Sequence, residues 1–183
     1  MTEQPDGTTP HPRGDNDRAN VTTLASDNGG GGVAKALVLG VLPLACLAVL
    51  VLPLLLAGDD LPDRVASHFN ASGEPDGSMT PTGLLVFSGL TLVLPGVVLL
   101  WLAGLRSHRM PRPWPPFLAG LGAFLAGLGA AIVAQTVWSQ RGIDDWTDAS
   151  GPGLGLAAVL AGAVGAGVVG ALTARRLPFD RES

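Results

Sequence analysis

Four long apolar runs dominate the chain, at 33–57, 84–105, 117–138 and 154–174, and the only charged residue in any of them is Lys35 at the entrance of the first. A helix rises about 1.5 Å per residue, so about 20 residues cross a hydrocarbon core of about 30 Å. The pattern therefore predicts an all-α integral membrane protein, with four spanning helices in a domain covering residues 33–176 and a motif-bearing outer loop at 58–83. Residues 1–32 are rich in Asp, Asn, Thr, Pro and Gly and offer nothing to build a core, so a disordered cytoplasmic tail is expected there. Residues 177–183 form a second, short cytoplasmic tail. A cleaved signal peptide begins near the N-terminus with a basic region and a short apolar core. The first run starts after 32 polar residues and is too long for that, so a retained span is expected.

Prolines punctuate the spans. Pro43 removes an internal helix hydrogen bond and predicts a kink in the first; Pro53 predicts either a second bend or the turn into the loop; Pro95 falls in the middle of the second. Thr80 followed by Pro81 reads as a helix cap with proline in the first turn. Trp101, Trp114 and Trp138 fall at interface depth, where indoles anchor helices to the headgroups. Spans three and four have a different texture. Span four repeats small residues every fourth position (Ala158, Gly162, Ala166, Gly170, and again Ala163, Gly167, Ala171), and span three is similarly rich in Gly and Ala. Such spacing lets helix backbones approach closely, either between these two spans or toward a homodimer or other membrane-protein partner.

Charge orders the spans. Only 14% of the chain is charged. Arg106, Arg109 and Arg112 occupy the second connection without an acid, and Arg175, Arg176 and Arg181 follow span four. The first loop carries Asp59, Asp60, Asp63, Glu74 and Asp76 against Arg64, and the third carries Asp144, Asp145 and Asp148 against Arg141. Basic residues mark the cytoplasmic side of short loops. A multi-pass protein of the cell membrane follows, with both termini inside and both acidic loops outside. The lipid bilayer is its first partner. A nucleic-acid role would need many phosphate contacts on a larger platform and is not expected. The spans contain no Asp, Glu or His, whereas ion-coupled transporters and intramembrane enzymes place ionisable groups at depth.

The first outer loop is the chemically distinctive stretch. It reads LPDRVASHFNASGEPDGSM, with Pro62 forcing Leu61 to be extended and Asn70, Gly73 and Gly77 permitting tight backbone. A short helical or extended element near Arg64–Phe69 followed by a compact turn is expected. His68 with Glu74 and Asp76 supplies the donor types of a divalent-cation site, but no H-x-x-x-H or cysteine pair accompanies it. Nor does any of Ser67, Ser72 and Ser78 have a nucleophile's context. No metal, cofactor or catalytic residue is expected, and the chain reads as a non-enzyme. The simplest role for His68 and Asn70 is to hydrogen-bond the loop into shape. Cys46, the only cysteine, reads as a small apolar residue of the first span.

Leu61, Pro62, Val65, His68, Phe69, Asn70, Gly73, Asp76 and Gly77 form the pattern LP-x-x-V-x-x-HFN-x-x-G-x-x-D-G. That pattern resembles the hallmark of the bacterial membrane family called domain of unknown function 1648, in which it also lies between the first two spans. The resemblance covers about 39–97 of this chain. It implies a relation to SdpI-like immunity proteins, which protect a producing cell from a secreted killing peptide and hold a repressor at the membrane. No repressor-binding segment matches here. The expected function is thus a structural or accessory membrane protein. The alternatives are a sensor or immunity protein that recognises an extracellular peptide or envelope component through these loop residues, and a small transporter component.

Overall fold

The computed structural model describes residues 32–151 and 153–177. The expected terminal tails lie outside these residues, apart from Gly32 and Leu177 at their borders. Helix α1 spans Gly32–Asp60, α2 Pro81–Leu105, α3 Trp114–Gln140 and α4 Gly153–Ala174, and each is long and apolar enough to cross a membrane. Thr80 caps α2 as expected: its hydroxyl accepts from the Gly83 N–H at 3.0 Å, with Pro81 in the first turn.

The structure is mostly helical, as expected, and the element near Arg64–Phe69 takes the extended of its two expected forms. The loop between α1 and α2 folds as an antiparallel hairpin, β1 (Val65–Phe69) and β2 (Pro75–Met79). The physical reasons are local. Pro62 bars helix at its predecessor, Val65 and Phe69 favour extended backbone, and Asn70–Gly73 turn the chain.

Prolines reshape α1 and α2 in a shared way. Each helix contains one wide π-helical turn, Leu37–Val41 in α1 and Gly89–Val93 in α2. Both turns end two residues before a proline, Pro43 or Pro95. The Leu42 N–H reaches back to the Leu37 carbonyl and the Leu94 N–H to that of Gly89. A proline has no N–H, and its ring collides with the carbonyl four residues earlier; the widened turn relieves both problems. In α1 that carbonyl belongs to Leu39, and the Trp101 indole N–H of α2 donates to it at 3.0 Å. Trp101 is therefore a tie between helices. Pro53 neither widens the helix nor ends it; the α-helical part of α1 runs on to Ala57, and Gly58, at a positive φ of 53°, begins the tight turn that closes α1 at Asp60.

Helix α3 is the centre of the bundle, packed against α1, α2 and α4. Its approach to α2 is set by two glycines: a Cβ on Gly96 would lie 2.5 Å from the Gly122 carbonyl oxygen. Its approach to α4 uses the expected small residues within one chain, where Gly170 lies against Ala119 and Ala123, and Gly127 against Ala163 and Ala166. Gly162 and Gly165 on α4 face open space. One core cluster joins Leu50, Val65, Val93, Val97, Val133 and Val137 toward the hairpin end. The other joins Ala34, Val38, Leu100, Ala119, Ala174 and Leu177, so both ends of the described chain meet at the opposite end.

Trp101→Phe leaves the Leu39 carbonyl without a donor in hydrocarbon and is expected to destabilise the bundle by about 1 kcal/mol. In a Pro43→Ala background, which restores an N–H, most of that cost is expected to vanish. A double-mutant cycle of unfolding in micelles measures the coupling.

Candidate functional site

The hairpin is built from its turn outward. Gly73, at φ 81°, donates its N–H to the Asn70 carbonyl at 3.0 Å, and the Asn70 N–H donates to the Glu74 carbonyl at 2.9 Å. The Asn70 side-chain oxygen accepts from the N–H groups of Ser72 and Glu74 at 2.9 and 3.0 Å. Asn70 thus replaces backbone partners that the reversing chain cannot supply. Val65 pairs with Met79, Ala66 with Ser78, His68 with Gly77 and Phe69 with Pro75, with register irregularities around His68. Arg64 reaches across the sheet, donating to the Ser78 hydroxyl and carbonyl, both at 2.8 Å.

The motif residues divide by direction. Pro62 and Val65 are buried and Leu61 packs beside them on the core. Phe69 is half-buried. Asn70 and Gly73 form the turn. His68 and Asp76 point outward, and His68 Nδ1 is hydrogen-bonded to an Asp76 carboxylate oxygen. Gly77 lies opposite His68, where a Cβ would come within 3.1 Å of the His68 Cβ. The His68 side chain is 73% exposed. A hydrogen bond so open to water contributes little to stability, so the pair is a surface feature that orients the imidazole.

Two residues that sequence reasoning passed over tie this end of the bundle together, Gln140 by holding the hairpin and Arg141 by holding the end of α1. Gln140, buried at the last turn of α3, accepts from the Ala66 N–H through Oε1 at 2.7 Å and donates to the Ala66 carbonyl through Nε2 at 2.9 Å. Its amide thereby pairs with β1 as a neighbouring strand would. Arg141 donates to Asp60 Oδ2 from Nε and a terminal nitrogen at 2.9 and 2.6 Å, and the Gly142 N–H donates to the Asp60 carbonyl at 2.8 Å. A signal for Gln140 existed in the sequence: a long amide beside an arginine, closing the same helix as Gln135 and Thr136. Its partner, 74 residues away, left no local trace.

The loop between α3 and α4 completes a cap over this end of the bundle. A Cβ on Gly151 would sit 2.8 Å from the Gly73 carbonyl oxygen, so the hairpin turn rests directly on this loop. Asp145 accepts from the N–H and hydroxyl of Thr147 at 2.9 and 2.8 Å. These bonds, the backbone one first, hold its carboxyl below the ordinary aspartate range. The turn they stabilise is therefore complete above that range and loosens as pH falls through the lowered value.

Chemically, the cap offers hydrogen-bonding and charged surface. Among the described residues no three His, Cys, Asp or Glu side chains converge as a cation site. The Ser78 hydroxyl is engaged by Arg64.

Four apolar helices closed at one end by a hairpin define a multi-pass membrane protein. Within it, residues 44–92 match the model of the family described as domain of unknown function (DUF1648), so the chain carries that domain from mid-α1 through the motif to the wide turn of α2. No curated protein and no solved structure matches the chain.

Gln140→Leu leaves both Ala66 backbone groups unpaired and is expected to cost about 2 kcal/mol locally. Amide exchange at Ala66 should accelerate by about 30-fold, with α1–α4 otherwise intact; unchanged exchange would show that the amide pairing does not hold the strand.

Proposed function

We propose that this is a non-enzymatic accessory protein of the cell membrane, with both termini cytoplasmic, whose outer cap is a rigid platform for contact with another envelope component. The observation that carries this reading is how the cap spends its polar groups. Asn70, Arg64, Gln140 and the Asp60–Arg141 pair all bond within the protein, and the exposed His68–Asp76 pair lies on the shape they fix. A preorganised surface binds with less ordering cost than a mobile loop. Spans without Asp, Glu or His support a packing role over ion-coupled transport. The arginine-rich connection and helix end support the cytoplasmic placement of the termini.

A second reading has its own support. Both outer arginines are engaged internally, while Asp59, Asp63, Glu74, Asp144 and Asp148 are exposed. Such a surface attracts cations, as a sensor or immunity protein facing a cationic extracellular peptide requires. The resemblance to SdpI-like immunity proteins points the same way.

Affinity capture of the tagged full chain from native membranes separates these readings. The accessory role predicts a stoichiometric partner whose recovery falls about tenfold in His68→Ala with Asp76→Asn (about 1.4 kcal/mol), at unchanged protein level. A monomer without an enriched partner, together with deletion-dependent killing by a cationic peptide, favours the second. A monomer whose deletion leaves peptide survival unchanged overturns both.

A further inference from the structure

The end of the bundle opposite the hairpin carries a feature that the cap does not explain. Arg112 and Arg175 line one groove of about 600 Å³ with Pro113, Pro116, Phe117 and Ala171. Arg112 precedes α3 and Arg175 follows α4, so the close packing of these helices brings together two cations 63 positions apart in the sequence. Phe117 is 58% exposed in the first turns of α3, with its ring edge-to-face on Trp114 at 6.0 Å between centroids. Every Asp and Glu among the described residues lies in the two loops at the other end. The groove therefore joins two properties: a doubly cationic mouth, and an apolar floor that continues onto helix faces of membrane-spanning length.

We propose that this groove binds one anionic phospholipid of the adjoining leaflet, with the phosphate-bearing headgroup between Arg112 and Arg175 and an acyl chain along Pro116, Phe117 and Ala171. Guanidinium groups match phosphate oxygens in geometry as well as charge. A free anion makes no use of the apolar floor, and an apolar partner helix makes no use of two arginines. An anionic lipid uses both. Its occupancy would bridge the start of α3 and the end of α4 at the point where their small-residue interface opens to the headgroups. Each basic residue at a membrane surface contributes about fivefold to anionic-lipid affinity.

The full chain is purified in detergent, exchanged with phosphatidylglycerol, phosphatidylcholine or inorganic phosphate, and its retained ligands are counted by native mass spectrometry. The native chain should retain one phosphatidylglycerol in preference to phosphatidylcholine, and millimolar inorganic phosphate should not displace it. Arg112→Gln and Arg175→Gln should each lower retention about fivefold, and Phe117→Ala should lower it as well. Arg106→Gln, at the same end but outside the groove, should leave it unchanged. Equal retention of the two lipids by the native chain overturns the proposal without recourse to any variant. So does displacement by phosphate, which identifies a simple anion site. An equal loss in Arg106→Gln overturns it too, because it reduces the effect to bulk surface charge.

Discussion

A backbone carbonyl in hydrocarbon has no water to turn to, and this constraint shapes the protein from α1 to the hairpin. Pro43 withdraws the donor that Leu39 would ordinarily use, and α1 answers with a widened turn while α2 lends the indole of Trp101. The backbone of Ala66 meets the same demand at the membrane surface and receives the amide of Gln140. In both places a side chain from a distant helix stands in for a missing backbone partner. Satisfying the chain locally thus fixes how its helices meet globally. Position is bought with hydrogen bonds that could not be left unmade.

Close packing supplies the second half of the architecture. Gly96 against Gly122, and Gly170 against Ala119 and Ala123, bring backbones to distances that a single methyl group would forbid. Helix α3 is the common partner, and its last turn carries Gln140 and leads into Arg141. The central helix of the bundle is therefore also the post on which the cap is mounted. A shift of α3 relative to α1 would be felt at Ala66 and Asp60 together.

Much of this was legible in the sequence, and what was not has a physical reason. Four long apolar runs announced the helices because hydropathy is a local property. Thr80–Pro81 announced a cap for the same reason, and the four-residue series of α4 announced a packing face. The hairpin was only half legible: Pro62, Asn70 and Gly73 marked a turn, but five-residue strands with register irregularities carry little periodicity. The wide turns were hidden, because proline signals a disturbance without specifying how the helix absorbs it. Among the motif residues the turn-forming Asn70 was readable from its chemistry. The pairing of His68 with Asp76 required the strand register, and the role of Gln140 required the whole fold.

The recurring segment 44–92 has a consequence for how the molecule comes into being. Its hairpin borrows Gln140 from the end of α3, Asp60 at the end of α1 pairs with Arg141, Val65 is buried in a cluster that includes Val133 and Val137, and the turn leans on Gly151. The unit that recurs in sequence is thus not a unit that closes on itself. In a chain made from its N-terminus the motif precedes its partners, and the cap reaches its final shape only when Gln140 at the end of the third helix is in place. Heredity and assembly divide this protein at different places.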